Sequence, residues 1–427
     1  MKSARSTDTT MRAPARVLML VENNAYPFDV RVRREAQSLR DAGYTVSVIA
    51  PRAPAQPWTE RLDGVDVYRF PTPPGGAGLF GYVFEFAYAT TAMFLLTLWV
   101  ALRKGFDVVH AANPPDTLFV IGAAFKLVGK KFVFDQHDLS PETYLSRFKE
   151  PKPNFVYHML RLLEQATYAV ADIVIATNES YRQLALTRGK KQPEQVFVVR
   201  NGPPRSFTSV AADPTLQQRA RHLVGYIGTM GPQDGVDYWL RSVRHIVHTL
   251  GRSDFLAVII GSGDASPSLH DLARELDIEQ HVWFTGRVPD LEARTWLSTV
   301  SVCVQPDPLS PLNNKSTMNK VMEYMALGKP LVAYDLVETR FSAGDAGLFA
   351  QPNDELDFAN KVCWLLDRPH EAQCMGELGR ARVASQLAWE HSVPSLLQAY
   401  TRGLRCGSAN TETPAVTETD RTKAETL

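Results

Sequence analysis

Short apolar runs recur along this chain, each followed by a stretch of helical periodicity, and few folds accommodate that alternation. In the first half the runs are Arg16-Val-Leu-Met-Leu-Val21, Thr45-Val-Ser-Val-Ile-Ala50, Asp107-Val-Val-His110, Lys131-Phe-Val-Phe134, Asp172-Ile-Val-Ile-Ala176 and Val196-Phe-Val-Val199. Strand and helix alternating at this spacing build a parallel sheet covered on both faces. The stretch after the first run carries the helical pattern well. Val32, Ala36 and Leu39 fall on one face, Asp29 stands where a cap would, and Gly43 stands where the helix would close. After a stretch containing Pro and Gly, from Asn201 to Pro214, the rhythm restarts. Its second set is Leu223-Val-Gly-Tyr-Ile-Gly228, Phe255-Leu-Ala-Val-Ile-Ile260, His281-Val-Trp-Phe284, Val300-Ser-Val-Cys-Val304 and Pro330-Leu-Val-Ala-Tyr334. The class is therefore α/β, with two Rossmann-like doubly wound domains.

A length of 427 residues also exceeds what one core usually organises. Residues 1–14 are expected to be a disordered leader, 15–204 the first domain, 205–220 a linker and 221–387 the second domain. Residues 388–404 are expected to form a terminal helix and 405–427 a polar, disordered tail. The leader lacks the apolar stretch of a secretory signal. Lys plus Arg and Asp plus Glu are both 46, so no global field draws the chain to nucleic acid. Cys303, Cys363, Cys374 and Cys406 show neither zinc spacing nor a disulfide framework, which suits a reducing compartment.

Two facing parallel sheets place the carboxyl ends of their strands on a shared cleft, where open α/β sheets bind ligands. The loop after the first strand, Glu22-Asn-Asn-Ala-Tyr-Pro-Phe28, has no Gly-x-Gly-x-x-Gly, so a dehydrogenase is a poor candidate. Gly228-Thr-Met-Gly231 and Gly261-Ser262-Gly263 each follow a strand of the second domain and are candidate ligand loops; glycines also end strands for steric reasons alone. The passage Leu312-Asn-Asn-Lys-Ser-Thr-Met318 leads into Asn319-Lys-Val-Met-Glu-Tyr-Met-Ala-Leu-Gly-Lys-Pro330. A polar loop opening a helix offers free N–H groups to a diphosphate, and Lys315, Lys320, Ser316, Thr317 and Asn319 lie on it. Glu323, one turn in, can accept from ribose hydroxyls. Met322, Met325 and Ala326 read as the buried stripe, and Gly328 ends the helix. Spacing alone leaves a solvated surface helix equally open. In the first domain His137 follows a strand, as do Asn24 and the cations Arg31, Arg33 and Arg34, which would suit an anionic acceptor; a solvated helix face is the plainer account of Arg33. Glu338, after the strand that follows Pro330, either braces its loop with Arg340 or contacts a sugar.

Residues 79–102 are apolar apart from Glu85 and are followed by Arg103-Lys104. The uncharged part sits at the lower limit for a membrane span, and Glu85 would be costly at mid-bilayer. A buried helix and an interfacial helix remain open, the latter suggested by Phe80, Tyr82, Phe84, Phe86 and Tyr88 and the flanking cations, with a membrane-surface contact through 79–104.

From about Arg16 to Leu404 the chain resembles the GT-B glycosyltransferases of family 4 (group 1 type). Glu323-Tyr-Met-Ala-Leu-Gly-Lys-Pro330 is similar to the family's Glu-x-Met-Ala-x-Gly-x-Pro signature. Gly261-Ser-Gly263, Thr285-Gly-Arg-Val-Pro289, Asp135-Gln-His-Asp138 and Ala171-Asp-Ile-Val-Ile-Ala-Thr177 match in order. Phe28-Asp-Val-Arg-Val-Arg-Arg-Glu35 and Ser316-Thr-Met-Asn-Lys320 resemble a subgroup of bacterial surface or exopolysaccharide enzymes. The resemblance implies a cleft between two domains, with C-terminal helices crossing back. It implies a sugar-nucleotide donor held by the second domain, including Arg287 and Val288, and a glycan or lipid-linked acceptor held by the first through Asn24, Arg31, Arg34, Asp138 and Glu142. Glu323 matches the family's ribose-binding Glu, while Lys315 stands where the sugar-binding Glu is usual. The cations many members carry after the first strand of the nucleotide domain are absent from Gly228-Thr-Met-Gly-Pro-Gln-Asp-Gly235, so Lys315 and Lys320 are expected to supply that charge. His137, Lys320 and Glu323 are the expected reaction-centre residues, with Glu338 a possible donor-sugar contact.

Family resemblance further implies retention of anomeric configuration. With no obvious carboxylate nucleophile, a same-face substitution is favoured over double displacement. No Asp-x-Asp motif is present, so no metal and no cofactor beyond the donor substrate are expected. A sugar-nucleotide epimerase of the same fold and a non-catalytic partner subunit are the alternatives. The expected place is cytoplasmic, with a peripheral position at the inner face of the cell membrane left open.

Overall fold

The structure, a computed structural model, describes residues 14–72, 78–148 and 152–405. Nearly all of the expected leader, the tail beyond Arg405 with Cys406, and the side chains of Phe80 and Tyr82 lie outside the described residues.

Among the described residues fourteen strands form two sheets. The first contains β1 (Arg16–Leu20), β2 (Thr45–Arg52), β3 (Thr59–Leu62), β4 (Val65–Pro71), β5 (Val108–Ala112), β6 (Lys131–Gln136), β7 (Ile173–Ala176) and β8 (Val196–Val198), in the order β3-β4-β2-β1-β5-β6-β7-β8. Only β3 runs antiparallel to its neighbour. The second contains β9 (His222–Ile227), β10 (Phe255–Ile260), β11 (Val282–Gly286), β12 (Val302–Gln305), β13 (Leu331–Tyr334) and β14 (Gly347–Ala350), all parallel, in the order β11-β10-β9-β12-β13-β14. Each order reverses once, between β1 and β5 and between β9 and β12, and the crevice outside the strand ends at such a reversal is where this architecture takes ligands.

The continuous apolar runs become strands buried on both faces, as helix-covered parallel sheets require. Met19, Val48 and Val133 face one helical layer of the first domain, while Leu18, Ile49 and Phe134 face the other. Asp29 caps the helix Val30–Asp41 by accepting from the Val32 N–H at 2.9 Å, and Gly43 adopts φ +91° just past its end. Sequence reading passed over β3, β4 and β14. The first two form an edge hairpin with charged residues at Glu60, Arg61 and Asp66, and β14 has four residues, too few for a period to show.

The helix Trp389–Arg405 leaves the second domain and packs on the first. Trp389, Leu396, Ala399 and Tyr400 join the core formed by Val17, Met19, Val32 and Leu39, and Trp389 donates to Ser38 Oγ at 3.0 Å. The helix Gly78–Arg103 is only partly buried. Ala89, Met93, Thr97 and Val100 form its inward stripe, whereas Val83, Phe84, Leu95, Leu98, Trp99 and Leu102 are exposed. Its stretch Val83–Arg103 is long and apolar enough to cross a membrane, and only 22% of that window is buried, which excludes the reading of a fully buried core helix.

The return of the chain is tight. A β-carbon at Gly202 would lie 1.7 Å from the Leu387 carbonyl oxygen, backbone that cannot swing aside. Gly202→Ala is therefore expected to destabilise the protein by about 1–3 kcal/mol through overpacking, read as a lower urea midpoint at unchanged m-value.

Candidate active site

On the second-domain side, the loops after β9 and β10 lie back to back. Gly261 has φ +126°, and a β-carbon there would meet the Gly228 carbonyl oxygen at 2.0 Å; one at Gly263 would meet the Met230 backbone at 2.6 Å. These glycines allow two backbones to touch, and Ser262 between them is exposed. Gly231 N–H donates to Asp234 at 2.8 Å. Facing this pair is the helix Asn319–Ala326, whose first turn has no side-chain cap. Lys320 Nζ lies 3.0 Å from Asp307 Oδ2, 3.4 Å from Tyr226 Oη and 3.6 Å from where a Gly228 β-carbon would be. Burial disfavours the Lys320 charge, but Asp307, Tyr226 and Asp234 outweigh it and hold the ammonium above the ordinary lysine range. Burial likewise lifts Asp234 to about 6, against the pull of Lys320.

Glu323 sits one turn further along, half-buried, and its carboxylate makes no hydrogen bond or ion pair among the described residues. Burial raises its pKa, and the largest compensating charge is Arg34 of the first domain. Met322, Met325 and Ala326 pack inward, and Gly328 at φ +71° ends the helix.

On the first-domain side, Asn113 at the end of β5 accepts from the His137 and Asp138 N–H groups at 2.7 and 3.2 Å and donates to the Asp138 carbonyl at 2.9 Å. That fixes the loop after β6. The His137 ring bonds through Nε2 to Asp135, which is wholly buried and held by Arg31 at 2.7 and 3.0 Å. Burial pushes Asp135 up, but Arg31 and the two histidines keep it well below the usual carboxylate range.

Loops at the carboxyl ends of both sheets meet directly. Asn178 Nδ2, after β7, donates to the Lys315 carbonyl at 2.8 Å and Thr317 Oγ1 at 2.9 Å, and Tyr181 Oη lies 3.1 Å from Ser316 Oγ. Residues 221–368 match the family Glycosyl transferases group 1, and residues 29–202 match the Glycosyl transferase 4-like domain, so consecutive matches span both sheets. The chain belongs to the group 1, family 4 type glycosyltransferases.

Among relatives, the D-inositol 3-phosphate glycosyltransferase of Thermomonospora curvata is 28% identical over 56% of this chain and 58% of its own length. The chain spans about half the length of the curated relatives it matches. Among solved structures, sucrose-phosphate synthase from Thermosynechococcus elongatus superposes with a TM-score of 0.75 at 18% identity, covering 92% of this chain and 100% of that one. Anabaena HepE in complex with UDP and glucose gives 0.69 at 16% identity, over 91% and 99%. The fold is GT-B.

Within this glycosyltransferase fold several expected contacts take other roles. Arg31 is buried and fully engaged by Asp135, Glu35 and the Val199 carbonyl, so it does not offer a guanidinium to an acceptor. Glu142 is buried against Arg188 at 2.6 Å, which Glu164 also holds, and braces helices instead of meeting a ligand. Arg34 donates to the Gly202 carbonyl at 2.7 Å and faces Glu323, on the donor side of the cleft. Glu338 is an interdomain strut: it accepts from Ser180 N–H and Oγ at 3.2 and 2.6 Å and from Arg200 at 3.4 Å, leaving it 2% exposed and unavailable to a sugar. Its expected partner Arg340 pairs with Asp335 instead. Lys315 Nζ donates to the Pro311 carbonyl at 3.3 Å, and Asn24, Arg287 and Asn319 are exposed. Val288 packs against the second-domain core, and Asp138 is half-buried beside His137.

Sequence reading missed Asp307, Asp234, Asn113, Asn178 and Glu22. Asp307 and Glu22 each directly follow strands that flank an order reversal, and that placement was the available signal. Glu22 is 7% exposed, and burial, reinforced by the Glu85 carboxylate, pushes it up to about 7. A carboxyl raised from 4.5 to about 7 on folding costs no stability below about pH 4.5, where both states are protonated; the loss grows as pH rises from there through about 7 and is complete above it. Glu22→Gln is expected to raise Tm at pH 8, by up to about 3 kcal/mol of stability, and to leave it near wild type at pH 4.5.

Proposed function

We propose that this chain transfers a sugar from a nucleoside-diphosphate donor to a hydroxyl of a glycan or lipid-linked acceptor, retaining the anomeric configuration, in cell-surface polysaccharide or glycoconjugate assembly. The observation that carries this reading is the uncapped start of the helix Asn319–Ala326, with the Lys320 ammonium and the unpaired Glu323 carboxylate beside the paired glycine loops. An open helix N-terminus and a fixed cation suit a diphosphate, and a carboxylate one turn away suits ribose hydroxyls. The relatives' names support sugar transfer, and HepE's UDP and glucose support a nucleoside-diphosphate donor.

In the proposed step the bond from anomeric carbon to diphosphate oxygen breaks as the acceptor oxygen bonds on the same face. The acceptor proton passes to the departing diphosphate. Lys320 and the helix N–H groups stabilise the negative charge that develops, and His137 lines the acceptor side near the transferred sugar. With a protein cation in that position, no divalent metal is required. Contacts such as those of Asn178 and Glu338 hold the two domains together around the reacting groups, which limits donor hydrolysis.

A membrane-facing surface belongs to this reading. The helix Gly78–Arg103 packs beside the helix Phe119–Lys126, which packs on Phe155–Val170, and these helices with the turn after Lys126 present Leu102, Leu127, Val128, Phe155, Met159 and Leu162 to solvent. With Arg103 and Lys104 alongside, that layer suits the anionic inner leaflet of a cell membrane, where a lipid-linked acceptor would lie. The protein is expected to sediment with vesicles containing phosphatidylglycerol, and Leu98→Glu/Leu102→Glu to remain in the supernatant with unchanged Tm.

A thermal-stability screen of UDP-, GDP-, ADP- and dTDP-sugars tests the donor class. At least one is expected to stabilise the protein, by about 2.7 kcal/mol at a hundredfold excess over Kd. Glu323→Ala should lose that stabilisation, and EDTA should change neither binding nor turnover. No response to any sugar nucleotide would overturn the reading.

A further inference from the structure

Two apolar stripes of the first domain pack against each other, and each ends at the cleft in a carboxyl. Side chains alternate along β1, so Leu18, Leu20 and Glu22 share a face. On the helix Gly78–Arg103, Met93, Ala89 and Glu85 are spaced four apart and share a face in turn. Leu18, Leu20, Ala89 and Met93 lie in one core, so the next position on each stripe brings Glu85 to the side of the sheet where Glu22 sits. This helix begins soon after β4 ends and stops just before β5 begins, and those strands run parallel, so its start lies at the carboxyl ends of the strands. Both carboxyls are therefore at the cleft end of the domain.

Strand register places them against the reaction centre. Leu20 pairs with Ala111 and Ala112 with Asp135, so two positions further on Glu22 stands beside Asn113, and His137 leads off the next strand. With about 4.8 Å between neighbouring strands, the ends that carry Glu22 and His137 are about 10 Å apart, which leaves room for a sugar ring between them. Glu22 is 7% exposed and Glu85 half-buried, and neither carboxyl has a hydrogen-bond or ion-pair partner among the described residues. Burial and the Glu85 charge both act against ionised Glu22. A buried carboxyl without a donor destabilises the fold, and here it stands beside the reversal between β1 and β5, where a ligand can bring the donors the protein withholds. Arg31, the cation expected to meet an anionic acceptor, is turned to Asp135 instead.

We propose that Glu22 and Glu85 form the subsite for the acceptor's sugar unit and select a sugar without negative charge. An ionised carboxylate only accepts hydrogen bonds, so a ligand that satisfies both must bring donors, as sugar hydroxyls do. A sugar that carries its own carboxylate is repelled by both. Beside Glu85, Val83 and Phe84 are exposed and Phe84 stacks on Tyr88 at 6.4 Å, so a hydrocarbon chain attached to the sugar meets apolar surface next to the subsite. That the bound sugar is the acceptor rests on the function proposed above; its binding at Glu22 and Glu85 does not.

Saturation-transfer NMR on the full-length protein tests it, with octyl glucoside, octyl galactoside, octyl mannoside and octyl glucuronide as probes, each below the concentration at which it forms micelles. Wild type is expected to bind at least one neutral glycoside and to bind the glucuronide about tenfold more weakly, or less. Glu22→Gln removes a buried charge and is expected to fold, and Glu85→Gln changes a half-buried position. Each should weaken the neutral glycoside about threefold or more and narrow its advantage over the glucuronide. Glu371→Gln, an exposed carboxylate of the second domain, should move neither affinity. Binding of none of the probes, equal affinity for neutral and acidic glycosides, or a preference that survives both substitutions would overturn the inference. Selective sugar binding in a protein that releases nucleoside diphosphate from no sugar nucleotide would instead count against the proposed transfer and leave the subsite standing.

Discussion

The buried pairing of Arg31 with Asp135 is the interaction on which the first domain's half of the cleft depends. It joins the helix Val30–Asp41 to the end of β6, and the same guanidinium reaches the Val199 carbonyl beyond β8. Burying two charges costs several kcal/mol each, and the pair offsets this only because bidentate geometry is combined with further hydrogen bonds. Asp135 thereby stays ionised in a closed interior and can orient His137. Removing either partner would leave an uncompensated buried charge, so the arrangement fixes geometry more than it adds net stability.

The two domains are joined by polar contacts as well as by the returning helix. Asn178, Ser180 and Tyr181 follow β7 and bind residues 315–317 and Glu338 of the second domain. The proposed diphosphate loop is therefore shaped by side chains of the opposite domain. Ser180 and Arg200 supply partners for Glu338 that sequence proximity would never have suggested, because they lie more than a hundred positions away. Such contacts are specific in direction, and polar interfaces between domains of one chain are compatible with relative domain motion.

Much of the architecture was legible because parallel strands buried on both faces leave unbroken apolar runs, and because Asp29, Gly43 and Gly328 punctuate helices by local rules. The glycine loops and the Lys320–Glu323 helix were legible for the same reason: strand ends and helix starts are written locally. What the charged side chains do there was not. Arg31 and Glu142 resemble ligand contacts in sequence, yet each is itself buried against a partner on a distant element, Asp135 for one and Arg188 for the other. Tyr400 had no signal at all, since only the returning helix brings it to His110.

Lys320 shows how charge and function separate at the second-domain side. The loop from Gly228 to Gly235 carries no cation, so the ammonium beside it had to come from elsewhere, and the helix Asn319–Ala326 supplies it. Asp307 neutralises that ammonium at 3.0 Å while also accepting from Gln305 at 2.7 Å, and its other oxygen is buried without a partner among the described residues. The local field is consequently modest. On the proposed reading, the diphosphate would be held chiefly by oriented N–H groups of the helix start, with Lys320 fixed in place by Asp307 so that it need not reorganise as charge develops. A cation held rigid in a partly dry cleft stabilises a departing oxyanion better than a freer one in water, because its orientation is established before the bond breaks.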